Sequence, residues 1–159
     1  MKNDRFLNGL LVGIGVLIII ALVLFFVRQQ SAEYLPDDTP SGVVHNFILS
    51  VLERDYERAY SYLPNDPEKP SYSLFQQELS RTSNETNQVN ITIGEVFMDG
   101  EIANVQLSIR QSYEGPFNNL GRYTESAQLK KENGEWKIVS MPYPFWSWNW
   151  YTEVIKPLP

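Results

Sequence analysis

The sequence contains no cysteine and a single histidine, His45, among its 159 residues. The first absence excludes disulfides, thiol nucleophiles, thiolate metal sites and a lipidated-cysteine anchor. The second excludes a histidine metal cluster and leaves His45 as the only imidazole for acid–base work. Basic residues are in the minority: 13 Lys and Arg against 19 Asp and Glu give a net charge of −6. An acidic chain repels phosphate backbones, so no nucleic-acid partner is expected. Long apolar runs are missing as well, with one exception at the amino terminus.

That exception is Phe6 to Val27, "FLNGLLVGIGVLIIIALVLFFV", 22 residues without a charge. As a helix it would be about 33 Å long, the thickness of a bilayer core. The run exceeds the roughly 7–15 apolar residues of a cleaved signal peptide. The expectation is therefore an uncleaved transmembrane helix over residues 6–27. Lys2 and Arg5 precede it, and Arg28 follows with Glu33, Asp37 and Asp38. The more basic end is expected on the cytoplasmic side, so residues 1–5 read as a cytoplasmic terminus. The remainder, with 11 basic and 18 acidic residues, reads as an extracytoplasmic head. Gly9 and Gly13 form a GxxxG through which a second membrane helix could approach. Glycine is also simply common in membrane helices. Residues 28–38 read as a linker that keeps the head near the bilayer.

The head opens with helical patterning. Thr39 is a candidate cap for a helix starting at Pro40, where proline's missing N–H costs nothing. Val44, Phe47, Ile48, Val51 and Leu52 form one apolar face. Asp55 reads as the cap of a short second helix bearing Tyr56, Ala59, Tyr60 and Leu63. Ser73 with Gln76 reads as a capping box for a third, carrying Phe75 and Leu79. After residue 86 the period changes to two. Val89, Ile91 and Ile93 alternate with polar residues, as do Ala103, Val105, Leu107 and Ile109. Asp99-Gly100 and Asn133-Gly134 read as tight turns. Tyr123 to Lys131 and "EWKIVSM" supply two further strands. The fold class expected is α+β: helices packed over the apolar face of a four-stranded antiparallel sheet.

The phrase "ERDYERAYSYLP", a third helix, and a meander ending "KKENGEWKIVS" resemble the NTF2-like (cystatin-like) superfamily, and within it the small membrane-anchored bacterial proteins of the DUF4878 type. The likeness covers roughly residues 38–141. It rests on an acidic-Tyr-x-x-Ala unit, Asp55, Tyr56 and Ala59, and on a Gly-x-Trp-x-Ile unit, Gly134, Trp136 and Ile138. It implies a cone whose curved sheet and first helix enclose a pocket, in a domain over residues 39–142. It implies no particular activity, since the family includes enzymes, binders and scaffolds.

Chemistry is sparse in the chain. His45 sits off the centre of the apolar stripe and reads as a rim residue. Glu95, Glu101 and Glu125 lie on or beside strands. Strict alternation puts Glu95 on the apolar face, but a β-bulge near Gly94 would turn it outward. Asn104, Gln106, Ser108 and Arg110 form a polar stripe, either the wet face of a sheet or a groove for a peptide. No catalytic residue, metal site or cofactor is expected, and the chain is read as a non-enzyme.

Residues 143–159 form an aromatic tail. From Pro142 to Tyr151, six of ten residues are aromatic: Tyr143, Phe145, Trp146, Trp148, Trp150 and Tyr151. They could close the open end of the cone, lie in a lipid interface, or form a hot spot for another protein; a sugar or small-ligand platform is a fourth reading, but no polar constellation in the sequence accompanies it. The expectation combines the first and last: part of the tail closes the domain, and Phe145, Trp146, Trp148, Trp150 and Tyr151 meet a partner. The function expected is a non-catalytic accessory or scaffold subunit of a bacterial membrane protein complex, with other subunits and the bilayer as partners. The alternative is a membrane-anchored binder or sensor of a small apolar ligand in the cone.

Overall fold

The computed structural model describes residues 4–28, 33–111, 121–147 and 150–151. They fall in two compact units, residues 1–33 and 34–159. The first is the helix α1 (Asp4–Arg28). Its described side chains run from residue 9 to 21, and the large apolar ones among them, Leu10 to Ile20, are largely exposed. Gly9 and Gly13 have open space where a Cβ would stand.

Among the described residues, no helix is long and apolar enough to cross a membrane. This corrects the expected transmembrane helix over 6–27. It also removes the basis for placing residues 1–5 in the cytoplasm, the head outside it, and the chain in the cell membrane as a single-pass protein.

Among its described residues the second unit has four helices, α2 (Pro40–Leu52), α3 (Tyr56–Ser61), α4 (Tyr72–Arg81) and α5 (Ser83–Thr86), then strands β1 (Val89–Asp99), β2 (Ile102–Gln111), β3 (Arg122–Glu132) and β4 (Glu135–Ser140). The strands form one antiparallel sheet in the order β1-β2-β3-β4. The expected caps are in place for two helices: Thr39 Oγ1 accepts from Gly42 N (3.1 Å) and Asp55 Oδ1 from Arg58 N (3.1 Å). For α4 the cap is Ser71, accepting from Leu74 N at 3.4 Å, two residues before the expected Ser73. Ser71 has the extended backbone a cap needs (φ −60°, ψ 150°), and Ser73 already lies inside the helix. The β3–β4 turn has Asn133 at φ 52° and Gly134 at φ 88°. Two left-handed residues in succession suit a two-residue hairpin, and glycine takes the second at no steric cost.

The two-residue period sorts the sheet's faces. Ala103, Val105, Leu107 and Ile109 on β2, Ala127 and Leu129 on β3, and Ile138 on β4 are all fully buried. The expected bulge is present: the β1–β2 register shifts between Ile93 and Val96, and Glu95 is exposed. Helix α2 lies over the buried face against β1, β2 and β4. It is buried on more than one side: Val43, Val44, Phe47 and Val51 face the core, while Asn46 and Ser50 are also buried. Leu52, expected on the apolar face, is 39% exposed. The edge strand β4 is covered by the end of α3, with Ile138 N donating to Tyr62 O at 2.8 Å.

Asn46 and Ser50 are buried because residues 34–37, part of the expected linker, lie across them. Leu35 N donates to Asn46 Oδ1 (2.8 Å), and Asn46 Nδ2 donates to Leu35 O and Asp37 Oδ1 (both 2.6 Å). A Cβ on Gly42 would be driven into the Pro36 carbonyl oxygen. Glycine there lets this strap lie directly on the helix.

Candidate functional site

The tail builds the most elaborate side-chain arrangement of the described residues. It leaves β4 at Met141, which is itself buried, and turns back over the helical layer. Phe145, Trp150 and Tyr151 are 1%, 3% and 8% exposed, and they belong to the same core cluster as Phe47 and Phe75. Trp150 stacks on Phe75 (centroids 5.0 Å apart, planes at 29°). Trp146 meets Trp150 edge-on (5.0 Å, 72°), stacks on Tyr151 (6.0 Å, 21°) and tilts against Phe47 (6.3 Å, 55°). These are the offset and edge geometries that ring quadrupoles favour.

Hydrogen bonds also pin the tail to the rest of the head. Tyr151 Oη donates to Pro64 O (3.1 Å), Thr82 Oγ1 to Pro144 O (3.1 Å), and Tyr143 Oη to Glu85 Oε2. Burial pushes the Tyr151 phenol well above its usual pKa, and the nearby Asp66 carboxylate adds to the shift. Trp150 Nε1 is buried with no hydrogen-bond partner among the described residues.

Of the five expected partner residues, the structure therefore places Phe145, Trp150 and Tyr151 in the core and leaves Trp146 half-buried. Trp148 lies outside the described residues. Tyr143, one of the six aromatic residues but not among those five, is 55% exposed. Between tail and α4 lies a cleft of about 120 Å³, lined by Glu78, Arg81 and Thr82 on one side and Tyr143, Trp146 and Ser147 on the other. Sequence reading missed its helical wall because Glu78, Arg81 and Thr82 look like an ordinary wet helix face.

A second cluster surrounds the strap. The Arg58 guanidinium lies 3.4 Å above the centroid of the Tyr34 ring. Arg58 Nε donates to Tyr62 Oη, Tyr62 Oη to Asp37 Oδ2 (both 3.4 Å), and Tyr34 Oη to Glu53 Oε2 (2.9 Å). The bond to Tyr62 raises the Arg58 pKa further, and burial raises those of Tyr34 and Tyr62. The cluster holds the strap to α3 and to the residue that caps the end of α2. The one signal for it in the sequence was Asn46, a polar residue amid the apolar positions of α2.

The residues weighed for catalysis are dispersed. Glu95, Glu101 and Glu125 are exposed and His45 is half-buried. The stripe Asn104, Gln106, Ser108 and Arg110 lies on the face of β2 opposite the core, facing Gln128, Ser126, Thr124 and Arg122 of β3. Among the described residues, no group of three or more histidines and carboxylates is placed to hold a metal ion.

No family model and no curated protein matches the chain. Solved structures similar to it include a SEC-C motif containing protein from Rhodopseudomonas palustris (16% identity, TM-score 0.47, covering 71% of this chain and 80% of that one). An NTF2-like protein of unknown function from Cytophaga hutchinsonii is 14% identical, with a TM-score of 0.40 over 63% of this chain and 83% of that one. A cystatin fold protein from Novosphingobium aromaticivorans is 11% identical, with a TM-score of 0.43 over 63% and 97%. Proteins called NTF2-like are thus among the structures this chain is similar to. With these TM-scores below 0.5, the α+β architecture rests on the chain's own helices and sheet.

Proposed function

We propose that the head is a non-catalytic NTF2-like interaction module, an accessory or scaffold subunit of a bacterial protein complex. Its docking surface is centred on Tyr143 and Trp146. The observation that carries the reading is the division of labour within the tail. Phe145, Trp150 and Tyr151 are consumed by the core, whereas Tyr143 stays 55% exposed beside a half-buried Trp146 that they hold rigid. Exposed aromatics on a fixed base are the residues that dominate protein–protein hot spots. The finer kinship with DUF4878-type proteins rests on Asp55, Tyr56, Ala59, Gly134, Trp136 and Ile138 alone.

The test is purification of the full chain from its native source, wild type beside Tyr143→Ala and Trp146→Leu. A stoichiometric partner is expected with wild type and is lost with both variants while their melting stays cooperative. Equal yields of the same partner from folded variants would refute the reading. An apolar molecule carried inside the domain, found by extraction and mass spectrometry, would favour a ligand carrier instead.

A further inference from the structure

We propose that the cleft between α4 and the tail binds one ring of a neutral carbohydrate, a function beyond the docking role above although it shares Tyr143 and Trp146 with it. The space is about 120 Å³, below the roughly 300–1,000 Å³ of pockets for drug-sized ligands. It takes a single small ring rather than a length of chain.

The wall chemistry selects among small ligands. Tyr143 and Trp146 supply aromatic surface at the cleft. Opposite them, Arg81 Nη2 lies 2.7 Å from Glu78 Oε2, and Ser147 Oγ donates to the same carboxylate oxygen at 3.5 Å. The Glu78 side chain is only 17% exposed, so the carboxylate is held in place. Arg81 keeps further N–H donors, Glu78 keeps acceptor lone pairs, and a hydroxyl can serve as either.

A cation is disfavoured because Glu78 is already neutralised and the guanidinium would repel it. An anion meets the carboxylate. A purely apolar ring would strip water from three polar groups and return no hydrogen bond. A neutral polyol ring satisfies every wall: its hydroxyls both donate and accept, and its C–H face covers an aromatic ring. Trp150, which also lines the cleft, keeps a buried Nε1–H without a partner among the described residues. That leftover donor gives an oxygen-rich ligand a further reason to be favoured once the wall relaxes.

The experiment is saturation-transfer NMR on the full chain with the methyl glycosides of glucose, galactose, mannose and N-acetylglucosamine at millimolar concentration. Tetramethylammonium and a short proline peptide serve as competitors of other chemistry. At least one glycoside is expected to receive saturation at its ring C–H protons. Its affinity should fall about tenfold or more in Glu78→Gln, which replaces a charged acceptor by a neutral amide and frees Arg81 from its ion pair, and likewise in Tyr143→Ala. Tyr143→Phe, which keeps the ring, should bind as wild type does. Neither variant at Tyr143 removes a core residue, so each remains folded. Absence of transfer to all four glycosides overturns the proposal. So does transfer that persists unchanged in Glu78→Gln and Tyr143→Ala, or binding of only the ammonium ion or the peptide. A protein partner retained by Tyr143→Ala and Trp146→Leu, with glycoside binding lost in Tyr143→Ala and Glu78→Gln, would overturn the docking reading alone.

Discussion

Tyr151 carries one ionisable group into the core, and its pH dependence can be worked out. Its hydroxyl donates to the Pro64 carbonyl, so only the protonated phenol fits. Burial raises its pKa well above the ordinary 10.0, and the Asp66 carboxylate adds to the shift. A group whose folded pKa is raised contributes stability that is fully present below the unfolded value and lost as pH rises through the folded one. Stability should therefore be insensitive to this residue up to about pH 10 and fall above it, as the unfolded chain releases a proton that the folded chain retains. Tyr151→Phe should cost about 1 kcal/mol at neutral pH for the lost hydrogen bond. It should also flatten the alkaline decline. Urea melts of both chains between pH 7 and 11 check this, and parallel alkaline slopes would show that the phenol is not buried protonated.

The docking of the strap on α2 is a matter of elements. A helix buried on one stripe needs polar residues on the other, yet Asn46 and Ser50 are fully buried on α2. The strap resolves the conflict by bringing its own backbone, and Asn46 satisfies the Leu35 N–H and C=O together as a neighbouring strand would. Asn46→Ala should destabilise the head by about 2–4 kcal/mol, since it leaves backbone groups and Asp37 without partners. Asn46→Asp keeps an acceptor for Leu35 N but sets a second carboxylate against Asp37, so it should recover little of the loss at pH 7. It should recover more near pH 4, where protonation returns a donor. Chemical denaturation at both pH values reads this out. If both variants melt as wild type does, the strap is not part of the folded head. The strap also marks where sequence reading fell short. The alternation of β2 and the capping positions Thr39 and Asp55 are local patterns, legible one segment at a time. That residues 34–37 lie on α2 depends on a contact across eleven positions, which only a buried Asn among Val43, Phe47 and Leu49 hints at.

At the scale of the molecule, the tail decides whether the sheet and helices enclose a core at all. Its aromatic density was plain in the sequence, but the split between buried and exposed rings was not. The stretch has no simple period, and Phe145, Trp146 and Trp150 reach the same cluster through turns rather than along a strand or helix. The cleft residues Glu78, Arg81 and Thr82 were illegible for a related reason: what they face is set by a segment some 60 residues away, as the Thr82–Pro144 bond illustrates. Each buried ring removes about 150–250 Å² from water, or about 4–6 kcal/mol at 25 cal/mol per Å². The loss of Phe145, Trp150 and Tyr151 together, about 12–18 kcal/mol on that scale, is therefore as large as the roughly 5–15 kcal/mol that holds a domain folded. A chain ended at residue 142 should lack cooperative melting, bind a hydrophobic dye and be cut readily by protease within residues 34–142. Tyr143→Ala, which removes an exposed ring, should melt within about 1 kcal/mol of wild type. A truncated chain that melts cooperatively near the wild-type temperature would mean that α2, α4 and the sheet close the core without the tail. The docking surface on Tyr143 and Trp146 would then lose the rigid base on which it stands.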